Sequence, residues 1–365
     1  NESLKKQLEF LNETSVVQAA DDDYIVILGV IDQNYTQTTG KVRADRKIPE
    51  MDFIIECNNR LWGCRYGEEN GEFVNRIYAS ALGDFRNWRK YSGTSMDSYY
   101  VNVGSDGPFT GAVAHRGYPY FFKEDCVHKI FGELPSNFQT QTTLCDGVMK
   151  GAGDTLIPYN GALYYLGKHG AQRFESLPEN IGRALGEGAL LGGTAGECGG
   201  SYYLSAKEED NTYSLYTFHL ERQQWHRQDG SHALAFAEMD GEMYMLTEDG
   251  HIWSLNGKAG TEEAGDITWY AETAMMGYEY PEHQYLGRFV LRVKLGERSE
   301  CRVFIQYDSD GYWQPKGVLQ SRKRVKTYLL PVVPRRCEHM KLKIEGKGEM
   351  ALYGIARELC VGNGT

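Results

Sequence analysis

Three histidines, His219, His226 and His232, lie close together in the chain. Imidazole is the commonest metal-ligating side chain, so a metal site is the first chemistry to test. A metal needs its ligands convergent, and His219 and His226 fall on opposite sides of a strand and its turn. Solvated or hydrogen-bonded strand histidines are therefore expected. Asp308-Ser309-Asp310-Gly311 opens like a calcium loop, whose alternating oxygens surround the ion. Trp313 and Pro315 follow, and no glutamate closes the loop at its twelfth position, so a hairpin turn between Gln306-Tyr307 and Trp313 is predicted. Glycoside hydrolysis needs two carboxylates facing each other across a cleft. The adjacent acids Glu124-Asp125, Glu208-Glu209 and Glu248-Asp249 sit in turns, and neighbours on a strand point apart. No Gly-x-Ser-x-Gly elbow, phosphate-cradling loop or dinucleotide fingerprint is present. The reading is of no catalytic, cofactor-binding or metal-ligating residues.

Charge is unevenly spread. From Lys316 to Lys347 there are ten basic residues, namely Lys316, Arg322, Lys323, Arg324, Lys326, Arg335, Arg336, Lys341, Lys343 and Lys347, against Glu338 and Glu345. That segment carries +8, which leaves −19 for the rest of a chain whose net charge is −11. All of these but Lys347 are taken as a candidate interaction surface, able to steer assembly with a complementary neighbour or a second copy. Lysines blunting an exposed sheet edge are the bland alternative, and nucleic-acid contact is the weakest reading for so acidic a chain. Eight cysteines, at 57, 64, 126, 145, 198, 301, 337 and 360, are scattered without CxxC pairs. Buried thiols in a reducing compartment fit this spacing better than a disulfide framework or a zinc site.

The elements that must position these residues repeat. Between Asn58 and Trp253 a turn, an aromatic-rich strand, another turn and a second strand recur five times, centred on Trp62, Phe121, Tyr164, Tyr203 and Tyr244. The steps are 59, 43, 39 and 41 residues, a spacing near the roughly 40 residues of propeller blades. A blade cannot bury both faces alone, so neighbours must stack around an axis. The composition agrees, with 42 Gly and 25 Tyr against ten Pro, as does the turn chemistry of Asn58-Asn59, Asn160-Gly161, Asp240-Gly241 and Asp249-Gly250. Five blades are legible, and a sixth is sought between Gly63 and Phe109. From about Gly265 the pattern changes to five plain strands, Phe289–Leu295, Cys301–Tyr307, Thr327–Leu330, Met340–Glu345 and Met350–Ile355. There Met340, Leu342 and Ile344 alternate with Lys341, Lys343 and Glu345, the mark of a half-buried antiparallel sheet.

The expected class is thus all-β: a β-propeller of five or six blades over 51–265 followed by a C-terminal β-sandwich over 266–365. Residues 1–50 read as the tail of a small β-module, with strands at Val16–Ala19 and Tyr24–Val30 around the Asp21-Asp22-Asp23 turn. The start at Asn1 reads as a truncation within a larger polypeptide. No run of eighteen apolar residues occurs, so no membrane-spanning helix is predicted.

Several strings resemble a family of bacteriophage and prophage β-propeller tail proteins, the stabilisation or nozzle-like virion proteins. They include Asn59-Arg60-Leu61-Trp62-Gly63, Asn75 through Asp84, Val103-Gly104-Ser105-Asp106-Gly107, Gly117-Tyr118-Pro119, Gln306 through Gly311, Pro334-Arg335-Arg336-Cys337 and Leu352 through Glu358. The likeness covers nearly everything after residue 50, and its strings are structural. It implies a non-enzymatic tail component, assembled in the bacterial cytoplasm and carried in the virion as a homo-oligomeric ring with other tail proteins. Two alternatives stand beside that expectation. One is a propeller face that binds bacterial surface glycan through exposed Tyr and Trp; the other is a glycan-cleaving propeller enzyme.

Overall fold

The computed structural model describes residues 16–18, 25–27, 48–69, 71–186, 188–255, 261–262, 265–266, 268–277, 284–330 and 336–361. Val16–Gln18 pairs antiparallel with Ile25–Ile27; the Asp21-Asp22-Asp23 turn lies outside the described residues, as does most of the N-terminal segment. The chain divides into two compact units, Asn1–Asn256 and Gly257–Thr365.

The first unit is a β-propeller of five consecutive sheets. Sheet one comprises Phe53–Cys57, Arg60–Glu69, Glu72–Ala79 and Tyr99–Asn102. Sheet two comprises Gly111–His115, Tyr118–Phe122, Cys126–Phe131 and Gln139–Leu144. Sheet three comprises Ile157–Tyr159, Ala162–Gly167, Gly170–Phe174 and Pro178–Asn180. Sheet four comprises Leu190–Cys198, Ser201–Glu208, Tyr213–His219 and Gln224–Asp229. Sheet five has three strands, Ala233–Met239, Glu242–Thr247 and Ile252–Ser254. Within each sheet the strands follow chain order, as hairpin connections require. The stretch searched for a sixth blade, Gly63 to Phe109, instead holds the outer strands of sheet one.

Each sheet opens with a two-residue hairpin: Asn58-Asn59, Arg116-Gly117, Asn160-Gly161, Gly199-Gly200 and Asp240-Gly241. All ten residues have positive φ, the backbone that matches the right-handed twist of the flanking strands. These turns set a common register. The closing pairs are Cys57↔Arg60, His115↔Tyr118, Tyr159↔Ala162, Cys198↔Ser201 and Met239↔Glu242. Two residues further on stand Trp62, Tyr120, Tyr164, Tyr203 and Tyr244. The repeating aromatic of the second sheet is therefore Tyr120, not Phe121, which the spacing alone suggested. Phe121 points the other way, into the cluster shared with Trp62, Ile77 and Cys64 of sheet one.

Each aromatic of the series in sheets one to four leans on the next sheet. Trp62 meets Phe138 edge-on at 5.2 Å, Tyr120 meets Phe174 at 6.3 Å and Tyr164 meets Tyr202 at 6.0 Å. Tyr203 shares a cluster with Met243 of sheet five. Such aromatic pairs contribute about 0.5–1.5 kcal/mol beyond their area. Sheets four and five approach so closely at Gly196 that a Cβ there would lie 2.6 Å from that of Phe236.

The second unit holds the short pair Thr261–Glu262 with Gly265–Asp266 and a six-stranded sheet folded over on itself, one of its strands being Arg336–Cys337, paired with Gln284-Tyr285. Its spine is the 24-residue strand Gln284–Tyr307, which pairs with Gln314–Leu330. The first half of the spine also pairs with Met350–Val361 and the second half with Met340–Lys347; the latter pairs with Thr268–Glu272. The segments read as separate strands, 289–295 and 301–307, are thus one strand bent near Arg298, whose φ is 62°. Phe289, Leu291 and Val293 from one half face Val303, Ile305, Leu342 and Ile344 from the other around a single core. Met340, Leu342 and Ile344 are buried, as the alternation predicted. Each such side chain contributes about 1.5–3 kcal/mol on burial.

Candidate functional site

Behind the Leu342–Ile344 face, the second unit carries an open cleft of about 790 Å³. Its floor is three rungs across three strands. The register runs Thr268–Lys347–Glu300, Tyr270–Glu345–Arg302 and Glu272–Lys343–Phe304, with Lys347, Glu345 and Lys343 on the central strand. Inward-facing Leu342 and Ile344 alternate with outward-facing Lys343 and Glu345, so core packing on one side holds the cleft groups on the other. Trp269 anchors the first strand, its indole N–H donating to the Gly348 carbonyl at 2.7 Å.

The charges on this floor are interleaved. Arg302 Nε donates to Glu300 Oε1 at 3.0 Å, and Lys343 Nζ lies 3.6 Å from Glu345 Oε2. Lys343 also stands over the rings of Phe304 and Trp313, at 5.0 and 5.1 Å. On the edge strand, beside Glu345, the Tyr270 ring is 65 % exposed. Glu345 is diagonal to Glu300 on one side and to Glu272 on the other. Diagonal neighbours in an antiparallel ladder lie about 7–8 Å apart. The surface therefore offers an apolar ring face, cationic donors and carboxylate acceptors at fixed spacing.

A smaller cleft of about 350 Å³ lies at the outer edge of sheet one, lined by Tyr91, Tyr100, Ser95 and Ser98 with Leu134 and Pro135. Its Asp97 carboxylate is engaged by the N–H groups of Ser92 and Gly93, both at 2.6 Å, and by Thr94 Oγ1 at 2.7 Å. Burial alone would raise that carboxyl; the hydrogen bonds outweigh it and hold the group below the usual carboxylate range. Asp97 thus organises the loop, and Arg60 locks it by donating to the Ser95 and Asp97 carbonyls.

One interior cluster has the connectivity of a nucleophile and its base. Ser105 Oγ lies 2.7 Å from His128 Nε2, and His128 Nδ1 lies 2.9 Å from Thr142 Oγ1. Burial, reinforced by Lys123, lowers His128 to about 4, and its ring is wholly buried. An imidazole so reluctant to take a proton is a poor general base at neutral pH, so the cluster is read as a satisfied core network. Lys123 completes it, with its ammonium 2.9 Å from both Asn75 Oδ1 and the Ser105 carbonyl and 4.6 Å from the centre of the Phe109 ring.

The structure disperses most residues singled out from the sequence. His219 Nδ1 accepts the Arg222 N–H, His226 pairs across to Thr217, and His232 stacks on Tyr213 at 3.6 Å. Among the described residues no three metal-ligating side chains converge. Asp308 and Ser309 form a turn with φ of 52° and 51°, where Asp308 Oδ1 accepts the N–H groups of Glu338 and His339. Glu124 accepts the Lys150 N–H, Glu208 accepts from Ser214 and Tyr216, and Glu248 pairs with His232.

Of the basic residues, Lys341 and Lys343 lie on the strand that forms the cleft floor. Lys316 stands over Tyr307, Lys326 over Tyr328, and Arg324 is exposed. The side chains of Arg322, Lys323, Arg335 and Arg336 lie outside the described residues. Where described, this face mixes Lys343 with Glu345, Glu300 and Glu272 rather than presenting one sign. Tyr270, Glu272, Glu300 and Arg302 escaped the sequence reading because only strand register brings them together. The five thiols Cys57, Cys64, Cys126, Cys145 and Cys301 are reduced. Burial, aided by Glu56, pushes Cys57 up to about 11, and burial pushes Cys301 to about 11 as well.

No family model matches the chain, and no curated protein matches it. Among solved structures it is similar to an exo-β-1,3-galactanase from Phanerochaete chrysosporium, determined with galactose. That match has 11% identity and a TM-score of 0.30, and covers 93% of this chain and 100% of the other. It is also similar to a glycoside hydrolase family 43 arabinoxylan arabinofuranohydrolase from Bacillus subtilis, at 10% identity and a TM-score of 0.25, covering 84% and 93%. A family 43 protein from Bacillus licheniformis matches at 8% identity and a TM-score of 0.28, covering 85% and 97%. The likeness transfers neither residues nor activity to this chain. These neighbours are glycoside hydrolases and none is a tail protein. The expectations of a non-enzymatic tail component, and of a chain that is not an enzyme, are corrected on that finding.

Proposed function

We propose that this chain engages carbohydrate, and that the cleft of the second unit is the saccharide site. The supporting observation is the rung Tyr270–Glu345–Arg302, which sets an exposed ring and a guanidinium on either side of a carboxylate in an open cleft. A sugar presents apolar C–H faces and a rim of hydroxyls. Tyr270 would stack on the first, while Arg302, Lys343 and the carboxylates would bind the second. A panel of soluble oligosaccharides measured by calorimetry tests this. Tyr270→Ala and Arg302→Ala should each weaken binding at least tenfold while leaving the melting temperature unchanged. Failure of every oligosaccharide to bind would remove the reading.

Cleavage is a second reading, favoured by the diagonal placement of Glu300, Glu345 and Glu272. Inverting glycosidases hold two carboxyl groups roughly 6.5–9.5 Å apart, and side chains from diagonal positions of one face could reach such a separation. Release of reducing ends, lost in both Glu300→Gln and Glu345→Gln, is the expected outcome for a hydrolase. Binding without release in the wild type leaves a recognition module. On the family resemblance of residues 59–358, the setting of either would be a phage particle and the sugar that of a bacterial surface. Co-sedimentation of the chain with purified particles tests that setting separately.

A further inference from the structure

The connection between Glu72–Ala79 and Tyr99–Asn102 is held more firmly than a surface loop requires. Arg60, itself buried, donates to the carbonyls of Ser80, Ser95 and Asp97. Ser98 Oγ donates to the Asn87 carbonyl at 2.9 Å and accepts the Lys90 N–H at 3.1 Å, while the Asp97 carboxylate gathers the turn at Ser92 and Gly93. What this scaffold presents is Tyr91, which is 56 % exposed and meets Tyr100 edge-on at 6.1 Å. Leu134 and Pro135, from the turn between the last two strands of sheet two, wall the other side of the 350 Å³ cleft. That volume is within the roughly 300–1,000 Å³ of small-ligand sites.

Beside these rings stands a cation with donors to offer. Arg76 sets its guanidinium 4.9 Å from the centre of the Tyr100 ring, and its Nε donates to Asn102 Oδ1 at 2.7 Å. Its two Nη groups make no hydrogen bond with any described residue. Ring stacking and the Asn102 bond thus orient a fork of donors whose geometry matches a carboxylate. Burial first and Tyr100 second raise the Tyr91 phenol above its ordinary value, and the charges of Arg89 and Arg76 oppose that rise, so both cations act at the cleft. From Phe85 to Met96 the chain has three basic residues and no acid. Asp97 is the one carboxylate among the lining residues, and the loop already engages it. The Ser95 and Ser136 hydroxyls, also in the lining, have no partner among the described residues. We propose that this cleft binds a carboxylate-bearing pyranose, the uronic-acid unit of an acidic polysaccharide, with its C–H face on Tyr91 and its carboxylate on the Arg76 fork. Ser95 and Ser136 take the ring hydroxyls. The site lies in the first unit and does not rest on the saccharide reading of the second-unit cleft.

Calorimetry of the full chain with the trimers of galacturonate and mannuronate, each beside its methyl ester, provides the test. At least one acid trimer should bind, and its ester, which keeps the rings and loses the charge, should bind about tenfold more weakly. Tyr91→Ala should weaken the acid by about tenfold as well, with an unchanged thermal melt because the side chain stands largely in solvent. Arg76→Gln should bind acid and ester alike, and Arg76→Lys, which keeps the charge without the fork, should recover only part of the preference. Tyr270→Ala, in the other cleft, should leave all these values unchanged, so that failure of either site is read separately. Absence of binding by both acid trimers overturns the proposal, as does equal affinity for acid and ester in the wild type. Binding that survives Tyr91→Ala and Arg76→Gln but is lost in Tyr270→Ala overturns it too, by moving the uronate to the second unit. Pentaglutamate bound as tightly, and weakened by the same two variants, would make the ligand an acidic peptide and would equally overturn it.

Discussion

His128 is where a single residue ties the fold to pH. The imidazole is enclosed by Ser105, Thr142 and Cys126, with Lys123 nearby. In the unfolded chain it protonates near the ordinary value of 6.5, whereas in the fold burial first and the Lys123 charge second delay protonation to about 4. Between those values the unfolded state binds more protons, so the stability from this group is complete above pH 6.5 and drains away as pH falls toward 4. The full difference is on the order of 3 kcal/mol. His115 is displaced in the same direction, again by burial first and then by Arg116, so it adds to the slope. Urea midpoints at pH 7, 5.5 and 4.5 should fall steeply for the wild type and less steeply for His128→Gln. Equal slopes for the two proteins would show that His128 does not carry the effect. Of this cluster the sequence displayed only residue types. Lys123 follows the strand Tyr118–Phe122 and His128 lies on the next strand, and their sharing of one buried space with Asn75 and Ser105 is a property of the junction between sheets one and two.

Among elements, the sheet-to-sheet junctions carry most of the specificity. Hairpins with two residues of positive φ fix where each sheet begins, and a one-residue slip would turn every aromatic to the opposite face. Such a slip separates Phe121, suggested by spacing, from Tyr120, found by register. Aromatic run Tyr118-Pro119-Tyr120-Phe121-Phe122 has large side chains on both faces, so composition cannot tell which rung repeats. Gly196 makes the closeness of one junction measurable. Gly196→Val would drive a side chain into Phe236 and the Met243 methyl, and overpacking of this kind costs about 1–3 kcal/mol. Chemical denaturation should register that loss, while Gly199→Ala, at a hairpin with open space around it, would report backbone strain alone.

For the whole molecule, the decisive feature is that each of the two units holds its own core. Phe289 through Ile344 form one cluster, and the clusters of the propeller contain no residue from that stretch. Leu342→Ala should therefore cost about 2–5 kcal/mol in the second unit. It should lower one calorimetric transition and leave the other in place. Tyr165→Ala, which empties a wholly buried site between sheets two and three and removes a hydroxyl that donates to the Asp146 carbonyl, should do the converse. Coincident movement of both transitions in either variant would mean that the units unfold as one.

Alternation of small turns with aromatic strands was enough, in the linear chain, to determine an all-β protein with stacked blades and a separate C-terminal sheet. Period-two patterns and positive-φ turns are local, and residues such as Asn160-Gly161 or Met340–Glu345 show them without reference to anything distant. That 289–307 is one bent strand, and that Tyr270, Glu345 and Arg302 share a rung, were decided only in three dimensions. Each of these depends on pairing between segments tens of residues apart. A hydrophobic pattern specifies that a strand must find a partner, but the identity and register of that partner follow from the packing of the complete core.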